Sequence, residues 1–171
     1  MKKLAIIVNG KPESGKDFLC DAAIAKFRAR KISSIDPILP IAKLGGWDGV
    51  KTQKSRKLLS DLKHAFTEFN DLSHQYVLEK YRDFLQSEDS ILFVHIRERD
   101  QIEAFKQAAE HCVTILIRRP DTERTVGNAS DDGINRIAYD YIYDNTHGLT
   151  DAAADFNTFI LDILHEHEIP S

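Results

Sequence analysis

The sequence predicts an α/β protein whose core is a mainly parallel sheet of five strands. Short β-type runs alternate with helix-type segments through all 171 residues. Two of these runs, SILFVHI at residues 90–96 and CVTILI at residues 112–117, are almost continuously apolar. Strands that are buried on both faces have this composition, because the helical crossovers between parallel strands cover both sides of the sheet. The segment NGKPESGKD follows the first run and links it to a helical segment.

Each element follows from a local pattern of apolar residues. The helix that begins near residue 52 is the most regular, since Leu58, Leu59, Leu62, Phe66 and Phe69 recur at helical spacing. In chain order, the sequence predicts a strand at residues 3–8, a helix at 16–29, a strand at 31–35, helices at 52–69 and 73–85, a strand at 90–96, a helix at 100–110, strands at 112–117 and 140–144, and a final amphipathic helix.

Size, charge and cysteine content narrow the class of protein. A chain of 171 residues suits one domain with a sizeable core, so we expect a single domain over residues 1–171. The net charge of −4 supplies no overall basic field, which argues against a nucleic-acid partner. Cys20 and Cys112 stand apart among apolar neighbours, so no disulfide framework is expected and a reducing cytoplasm is the simplest location. No apolar run is long enough to span a bilayer, so no membrane partner is expected.

The connection after the first strand has the spacing of a phosphate-binding loop. Gly10 is followed by four residues and then by Gly15 and Lys16. Such a loop turns backbone N–H groups toward phosphate oxygens, and the positive end of the next helix dipole favours the same anion. We expect both glycines to permit positive φ angles and close backbone approach, and Lys16 to reach the phosphates as a point charge. A chance match is the alternative, but the flanking strand and helix make chance rare.

Asp17 departs from the usual pattern, in which a Ser or Thr after the lysine gives its hydroxyl to Mg²⁺. A carboxylate is also a hard oxygen ligand and could hold the metal directly or through water. Alternatively, Asp17 only stabilises the helix N-terminus, and the sequence leaves both interpretations open. The third strand ends in His95, where many phosphate-transfer enzymes carry a metal-linked Asp. One hypothesis is therefore that the metal-binding carboxylate has moved to Asp17.

Together these residues resemble the P-loop nucleoside monophosphate kinase-like family. GKPESGKD at residues 10–17 is similar to the GKxxSGKD loop of the branch that holds deoxynucleoside monophosphate kinases and phosphomevalonate kinase. The resemblance continues in order through SIDP, HIRERDQIEAF, RR and YDYIYDNTHGL, over most of the chain. It implies a three-layer P-loop NTPase fold that is adenylate-kinase-like, with strand order 2-3-1-4-5.

The resemblance also implies an activity, in which the γ-phosphoryl group of ATP passes, with Mg²⁺, to a small phosphorylated acceptor. A (deoxy)nucleoside monophosphate is the first expectation for the acceptor, and a non-nucleotide phosphate such as phosphomevalonate is an alternative. A nucleotide-binding regulatory protein without turnover is the second hypothesis, because His95 replaces the acidic strand end of the family.

Site residues are implied by the same resemblance. Arg97 would hold the acceptor phosphate with its planar fork, unless it pairs with a surface carboxylate. A short lid is expected over residues 119–133, and its closure would exclude water. Asn145 matches a turn near the donor base, although a purely structural turn residue is the alternative. The implied catalytic residues are Lys16, Arg97, Arg119 and Arg124; the implied donor-binding residues are Gly10, Lys11, Pro12, Glu13, Ser14, Gly15, Lys16, Asp17, Phe18, Arg118, Arg119 and Asn145; the implied metal ligand is Asp17.

The acceptor is expected between the core and a helical segment of about residues 37–87. Candidates to line its site are Asp36, Lys43, Trp47, Lys51 and Arg56. Trp47 could stack on a base, although core packing or loop anchoring is the alternative. The implied partner is thus a small molecule, and the sequence leaves the oligomeric state open, a homodimer included.

Overall fold

The computed structural model of the chain describes residues 2–120, 137–146 and 148–170. Within these ranges the chain forms five strands and six helices. They are β1 (Leu4–Gly10), α1 (Lys16–Lys26), β2 (Ala29–Ser33), α2 (Ile38–Leu44), α3 (Gln53–Asn70), α4 (Leu72–Gln86), β3 (Ile91–His95), α5 (Arg99–Ala108), β4 (Cys112–Arg118), β5 (Tyr141–Asp144) and α6 (Leu149–Glu166).

The five strands form one parallel sheet in the order β2-β3-β1-β4-β5. This order confirms the predicted 2-3-1-4-5 arrangement and the predicted fold class. Parallel strands place their carboxyl ends at the same edge of the sheet, so the residues that follow β1, β3 and β4 meet there. The first strand is central, and all seven of its residues are buried.

Helices cover both faces of the sheet because successive residues of β1 point to opposite sides. Leu4, Ile6 and Val8 pack in a cluster with buried residues of α1 and α6. Ala5 and Ile7 belong to a second cluster, which includes buried residues of α4 and α5. The result is three layers, with a core on each side of the sheet.

The largest differences from the sequence-based expectation concern the end of α1, the bounds of β2 and the helix α2. The second strand spans Ala29–Ser33 instead of residues 31–35, because α1 ends at Lys26 and the chain is already extended at Phe27, whose side chain is buried. The helix α2 was not predicted as a separate element, although it falls within the helical segment expected over about residues 37–87, and its sequence ILPIAKL contains a proline. That proline, Pro40, lies in the first helical turn, where no N–H donor is needed.

The helices α2 and α3 lie beside the sheet with a small apolar cluster of their own. Ile38, Ala42 and Leu59 form its buried part, and Trp47 packs against it. The predicted apolar face of α3 is only partly used, because Phe69 remains 80% exposed.

Lys3, just before the central strand β1, ties the N-terminal end of the sheet to the end of α4. Its ammonium group donates to the carbonyl oxygens of Phe84 at 2.8 Å, Ser87 at 2.6 Å and Asp89 at 2.8 Å. The bonds to Ser87 and Asp89 satisfy carbonyl oxygens beyond the end of α4, whereas the oxygen of Phe84 also accepts from the backbone N–H of Ser87 at 3.0 Å. Among the described residues, no helix combines the length and apolar character needed to cross a membrane.

Candidate functional site

The loop between β1 and α1 lies at the centre of the carboxyl edge of the sheet. It takes positive φ angles at Glu13 (67°) and Gly15 (86°). The expectation of a positive φ at Gly10 is wrong, and this glycine is needed instead for space. A Cβ atom there would lie 2.5 Å from Ser14 Oγ and 2.9 Å from the carbonyl oxygen of Ile117. The loop therefore folds tightly back on the end of its own strand.

The N-terminus of α1 is open to an anion. Gly15 is the N-cap residue and offers no side-chain hydrogen bond to the first turn. The first α-helical bond runs from the N–H of Leu19 to the carbonyl oxygen of Gly15 at 3.0 Å. The N–H groups of Lys16, Asp17 and Phe18 precede it, and no partner for them is found among the described residues. These donors and the helix dipole are the elements that a phosphate group requires.

The ammonium group of Lys16 lies between two side chains at the mouth of this loop. It donates to Asp17 Oδ1 at 2.9 Å and approaches His95 Nδ1 at 3.0 Å. Lysine has no acceptor, so His95 must accept at Nδ1 and carry its proton on Nε2. The Nε2 atom faces Cys20 Sγ at 3.7 Å. His95, at the end of β3, thus contacts the loop and α1 together.

The protonation states of this cluster follow from burial and from the lysine charge. Burial, reinforced by the charge of Lys16, lowers the pKa of His95 far below its ordinary value, so the imidazole is neutral near pH 7. Burial acts to raise the pKa of Asp17, but the hydrogen bond and charge of Lys16 outweigh it and lower that pKa overall. The cluster therefore holds one cation, one anion and one neutral ring.

Asp17 is the described side chain best suited to hold a metal at this loop. Its side chain is 65% exposed, and only Oδ1 is taken by Lys16 among the described residues. No group of three or more His, Cys, Asp or Glu side chains in the described ranges could hold a metal ion. The donor set fits Mg²⁺, which is commonly held by one or two carboxylates together with substrate phosphates and water.

Asn145 contacts the loop from the strand-β5 side. Its Nδ2 atom donates to the carbonyl oxygen of Ser14 at 2.9 Å, and its backbone N–H donates to the carbonyl oxygen of Arg118 at 2.7 Å. Ser14 and Asn145 are 2% and 5% exposed, so this contact is fully internal. The structure places the amide against the loop backbone, and a place near the donor base stays a prediction.

Arg97 lies just beyond β3 and is exposed. Among the described residues its side chain makes no ion pair, so pairing with Glu98 or Asp100 is not what occupies it. Glu98 is instead bound by Lys63 of α3, whose ammonium group lies 2.7 Å from both carboxylate oxygens and 2.8 Å from Ser34 Oγ. The helical segment is thereby joined to the loop that carries Arg97.

Arg118 and Arg119 stand at the carboxyl end of β4. Arg118 makes a two-pronged ion pair with Asp144 of β5, at 2.7 Å and 2.8 Å. Arg119 follows it and is half-buried. Arg124 and most of the predicted lid at residues 119–133 lie outside the described residues.

The other predicted loop residues surround the same mouth. Pro12 and Glu13 are exposed, Lys11 is half-buried, and Phe18 is 42% exposed.

The acceptor-site candidates are spread over the segment that leads into α3. Asp36 accepts a hydrogen bond from the backbone N–H of Ser33 at 2.7 Å, and burial raises its pKa. Trp47 donates its indole N–H to the carbonyl oxygen of Val50 at 2.9 Å, which makes it a loop anchor in this structure. Lys43, Lys51 and Arg56 are exposed.

Three features of the site were missed at the level of sequence. They are the contact of Lys16 with His95, the bond from Asn145 to Ser14, and the bridge from Lys63 to Glu98. Only the last had a sequence signal, since a lysine on the apolar side of an amphipathic helix needs a partner.

Comparison with known proteins gives the fold. No family model matches the sequence, and no curated protein matches it. Among solved structures, the chain is similar to an unliganded sugar kinase from Janibacter sp. HTCC2649, with a TM-score of 0.55 and 10% identity over 94% of this chain and 95% of that one. A putative kinase from Chloroflexus aurantiacus j-10-fl gives a TM-score of 0.53 and 12% identity, over 94% and 97% of the two chains.

The shikimate kinase from Aquifex aeolicus vf5 gives a TM-score of 0.52 and 11% identity, over 95% of this chain and 98% of that chain. At such identities the likeness shows the fold alone. The chain has the three-layer P-loop kinase fold, with a five-stranded parallel sheet in the order 2-3-1-4-5.

Proposed function

We propose that the protein is an ATP-dependent phosphotransferase acting on a small phosphorylated acceptor. The observation that carries this proposal is the N-terminus of α1, where the first-turn N–H groups have no partner among the described residues and the ammonium group of Lys16 belongs to the same turn, after a tightly folded loop. Transfer of a phosphoryl group depends mainly on positioning and charge neutralisation, and these groups supply both. The kinase names of the structural neighbours agree with this class of reaction.

The residues proposed to bind the phosphate donor and the metal follow β1 and β4, at the carboxyl ends of the strands. The loop from Gly10 to Phe18 holds the donor phosphates through backbone N–H groups, and Lys16 neutralises their charge. Further neutralisation of the donor phosphates is assigned to Arg118, Arg119 and Arg124. Asp17 would hold Mg²⁺, which when bound screens the phosphate charge and orients the transferring group.

Arg97 is the residue proposed to hold the acceptor. It is an exposed cation without an ion pair among the described residues, and it stands at the end of β3 beside the loop. Its planar fork can bind a phosphate in two places. We therefore favour a (deoxy)nucleoside monophosphate, bound between the sheet edge and the helical segment of residues 37–87, with phosphomevalonate as a comparison. One domain over residues 1–171, located in the cytoplasm, completes the proposal.

A nucleotide-binding protein without turnover is the second candidate function. It is favoured by the position of His95, a neutral ring at the strand end where a metal-linked carboxylate is common. The two candidates make the same prediction for ATP binding and opposite predictions for ADP formation.

The test is incubation of the purified chain with Mg-ATP and one acceptor at a time, followed by chromatographic measurement of ADP. The panel contains the nucleoside and deoxynucleoside monophosphates, phosphomevalonate, shikimate and simple sugars. We expect ADP to accumulate with one of the phosphorylated acceptors and not without it. Turnover with only the unphosphorylated compounds would contradict the acceptor class, and binding without turnover would favour the second candidate.

Lys16→Met and its matched control test the loop itself. The control, Lys26→Met, removes an exposed lysine at the other end of the same helix. We expect Lys16→Met to abolish measurable ADP formation and Lys26→Met to leave it unchanged. Equal activity in the two variants would rule out the proposed loop.

A further inference from the structure

We propose that Asn145 is a positioning residue that holds the phosphate-binding loop in shape, and that it does not select the donor base. The inference rests on the proposed nucleotide binding and concerns how that site is built. Its basis is the contact between the Asn145 amide and the loop backbone.

The first step is that the side-chain amide group of Asn145 already donates a hydrogen bond within the protein. Asn145 Nδ2 donates to the carbonyl oxygen of Ser14 at 2.9 Å, and both residues are almost completely buried. An internal carbonyl without a donor is costly, so this bond fixes the loop carbonyl in one direction.

The second step is the close packing on Gly15. A Cβ atom at Gly15 would lie 2.6 Å from Asn145 Nδ2, so the amide rests directly on the residue with the left-handed conformation. Gly15 is also the N-cap of α1, which means that the side chain of Asn145 sets where the helix begins. Displacement of the amide would therefore move the first-turn N–H groups as well.

The third step is that Asn145 is itself held in place. Its backbone N–H donates to the carbonyl oxygen of Arg118 at 2.7 Å. The neighbouring residue Ile117 pairs with Gly10 in the sheet. Asn145 is thus anchored at the paired ends of β4 and β1, and its side chain in turn supports the loop.

The side-chain oxygen of Asn145 makes no competing contact that would turn the amide away from the loop. Asn145 Oδ1 is buried and has no hydrogen-bond partner among the described residues. The direction of the amide is therefore set by the single bond from Nδ2 to the loop. The O and N atoms are assigned from this bond, because only the N–H₂ group can donate to a carbonyl.

Two variants separate loop support from base selection. Asn145→Leu keeps the volume but loses the donor, and Asn145→Ala removes the contact. Binding of Mg-ATP, Mg-GTP and inorganic tripolyphosphate is measured by calorimetry for each folded variant. We expect the affinity for all three ligands to fall by a similar factor, about tenfold, with the ATP-to-GTP ratio unchanged.

A matched control removes a buried asparagine that does not touch the loop. Asn157 of α6 is 9% exposed, and its Oδ1 also lacks a partner among the described residues. Asn157→Leu should change the unfolding temperature without changing tripolyphosphate affinity. A similar loss of affinity in Asn145→Leu and Asn157→Leu would show that the effect of Asn145 comes from a general loss of stability, and it would overturn the inference.

A second arm uses Gly15, and it remains informative if Asn145→Leu does not fold. Gly15→Ala introduces both a backbone strain and the 2.6 Å contact with the amide. Asn145→Ala removes the contact, so the double variant should bind tripolyphosphate more tightly than Gly15→Ala alone. Simple addition of the two losses would contradict the proposal.

The outcomes also separate this inference from the proposed function. If the wild-type chain binds ATP and tripolyphosphate but the Asn145 variants bind equally well, only the inference fails. If the variants change the ATP-to-GTP ratio and leave tripolyphosphate binding intact, Asn145 selects the base and the inference is wrong. If the wild-type chain binds none of the three ligands, both proposals fail.

Discussion

Lys16 Nζ and His95 Nδ1 lie 3.0 Å apart, so a neutral ring at the end of β3 accepts a hydrogen bond from the lysine at the start of α1. A neutral acceptor fixes the position of an ammonium group without cancelling its charge. Asp17, whose Oδ1 lies 2.9 Å from the same ammonium group and 3.7 Å from His95 Nδ1, is an anion and does cancel charge. The two contacts therefore have different consequences for an incoming phosphate.

Replacement of His95 should weaken nucleotide binding. His95→Leu removes the acceptor, so Lys16 is less well ordered before the ligand arrives. We expect ATP affinity to fall about tenfold, while His95→Asn, whose amide oxygen can still accept, should retain most of it. Calorimetric titration of both variants checks this, and equal or tighter binding by His95→Leu would contradict it.

Asp17→Ser should separate binding from catalysis. If Asp17 supports Mg²⁺, its loss should reduce Mg²⁺-dependent ADP formation by about a hundredfold and change ATP affinity much less. The matched control is Asp21→Ser, one turn further along α1, where the carboxylate pairs with Lys31. Equal loss of binding and turnover, or no loss of either, would count against a metal role for Asp17.

Much of the fold could be predicted from the sequence, because strands and helices are indicated by patterns of neighbouring residues. The continuous apolar character of residues 91–94 reports burial on both faces, and the structure shows these four residues buried. The β2 boundary was missed because the aromatic ring of Phe27 fits an apolar helix face as well as a buried strand entrance. Only tertiary packing decides between the two.

The candidate site was predictable in composition but less so in geometry. The loop spacing predicted the positive φ at Gly15, because that conformation is a property of a single residue, whereas the positive φ expected at Gly10 is not found. The bond from Asn145 to Ser14 joins positions 131 apart in the chain, and no local pattern encodes it. The same holds for His95, whose role depends on which neighbour its ring meets.

Lys3→Met should destabilise the fold without affecting the site. The change removes a donor from three carbonyl oxygens at and beyond the end of α4, of which only that of Phe84 keeps another donor among the described residues, and about 2 kcal/mol of unfolding free energy should be lost. Lys2→Met is the neighbouring control: the contact of Lys2 found among the described residues is an exposed one with Glu168 at 3.5 Å, so this substitution should cost less than about 0.5 kcal/mol. Urea unfolding measures both variants, and equal losses would contradict the assignment.

The bridge between Lys63 and Glu98 should make stability depend on pH. Burial acts to raise the pKa of Glu98, but Lys63 outweighs it, so the folded-state pKa lies below the ordinary value of 4.5. A carboxyl group with a lowered folded-state pKa stabilises the protein above the unfolded-state pKa, and this contribution is lost as pH falls through the folded-state pKa. Acidification should therefore release Lys63 from Glu98.

A double-mutant cycle with Lys63→Met and Glu98→Gln measures this contribution directly. Urea unfolding at about pH 7 should give a coupling free energy of about 1 kcal/mol, because Lys63 is 12% exposed and Glu98 is 42% exposed. The coupling should shrink as pH falls below 4.5, the ordinary carboxyl value, since protonated Glu98 no longer attracts the ammonium group. A coupling that stays constant on acidification would show that the two residues contribute through packing and not through charge.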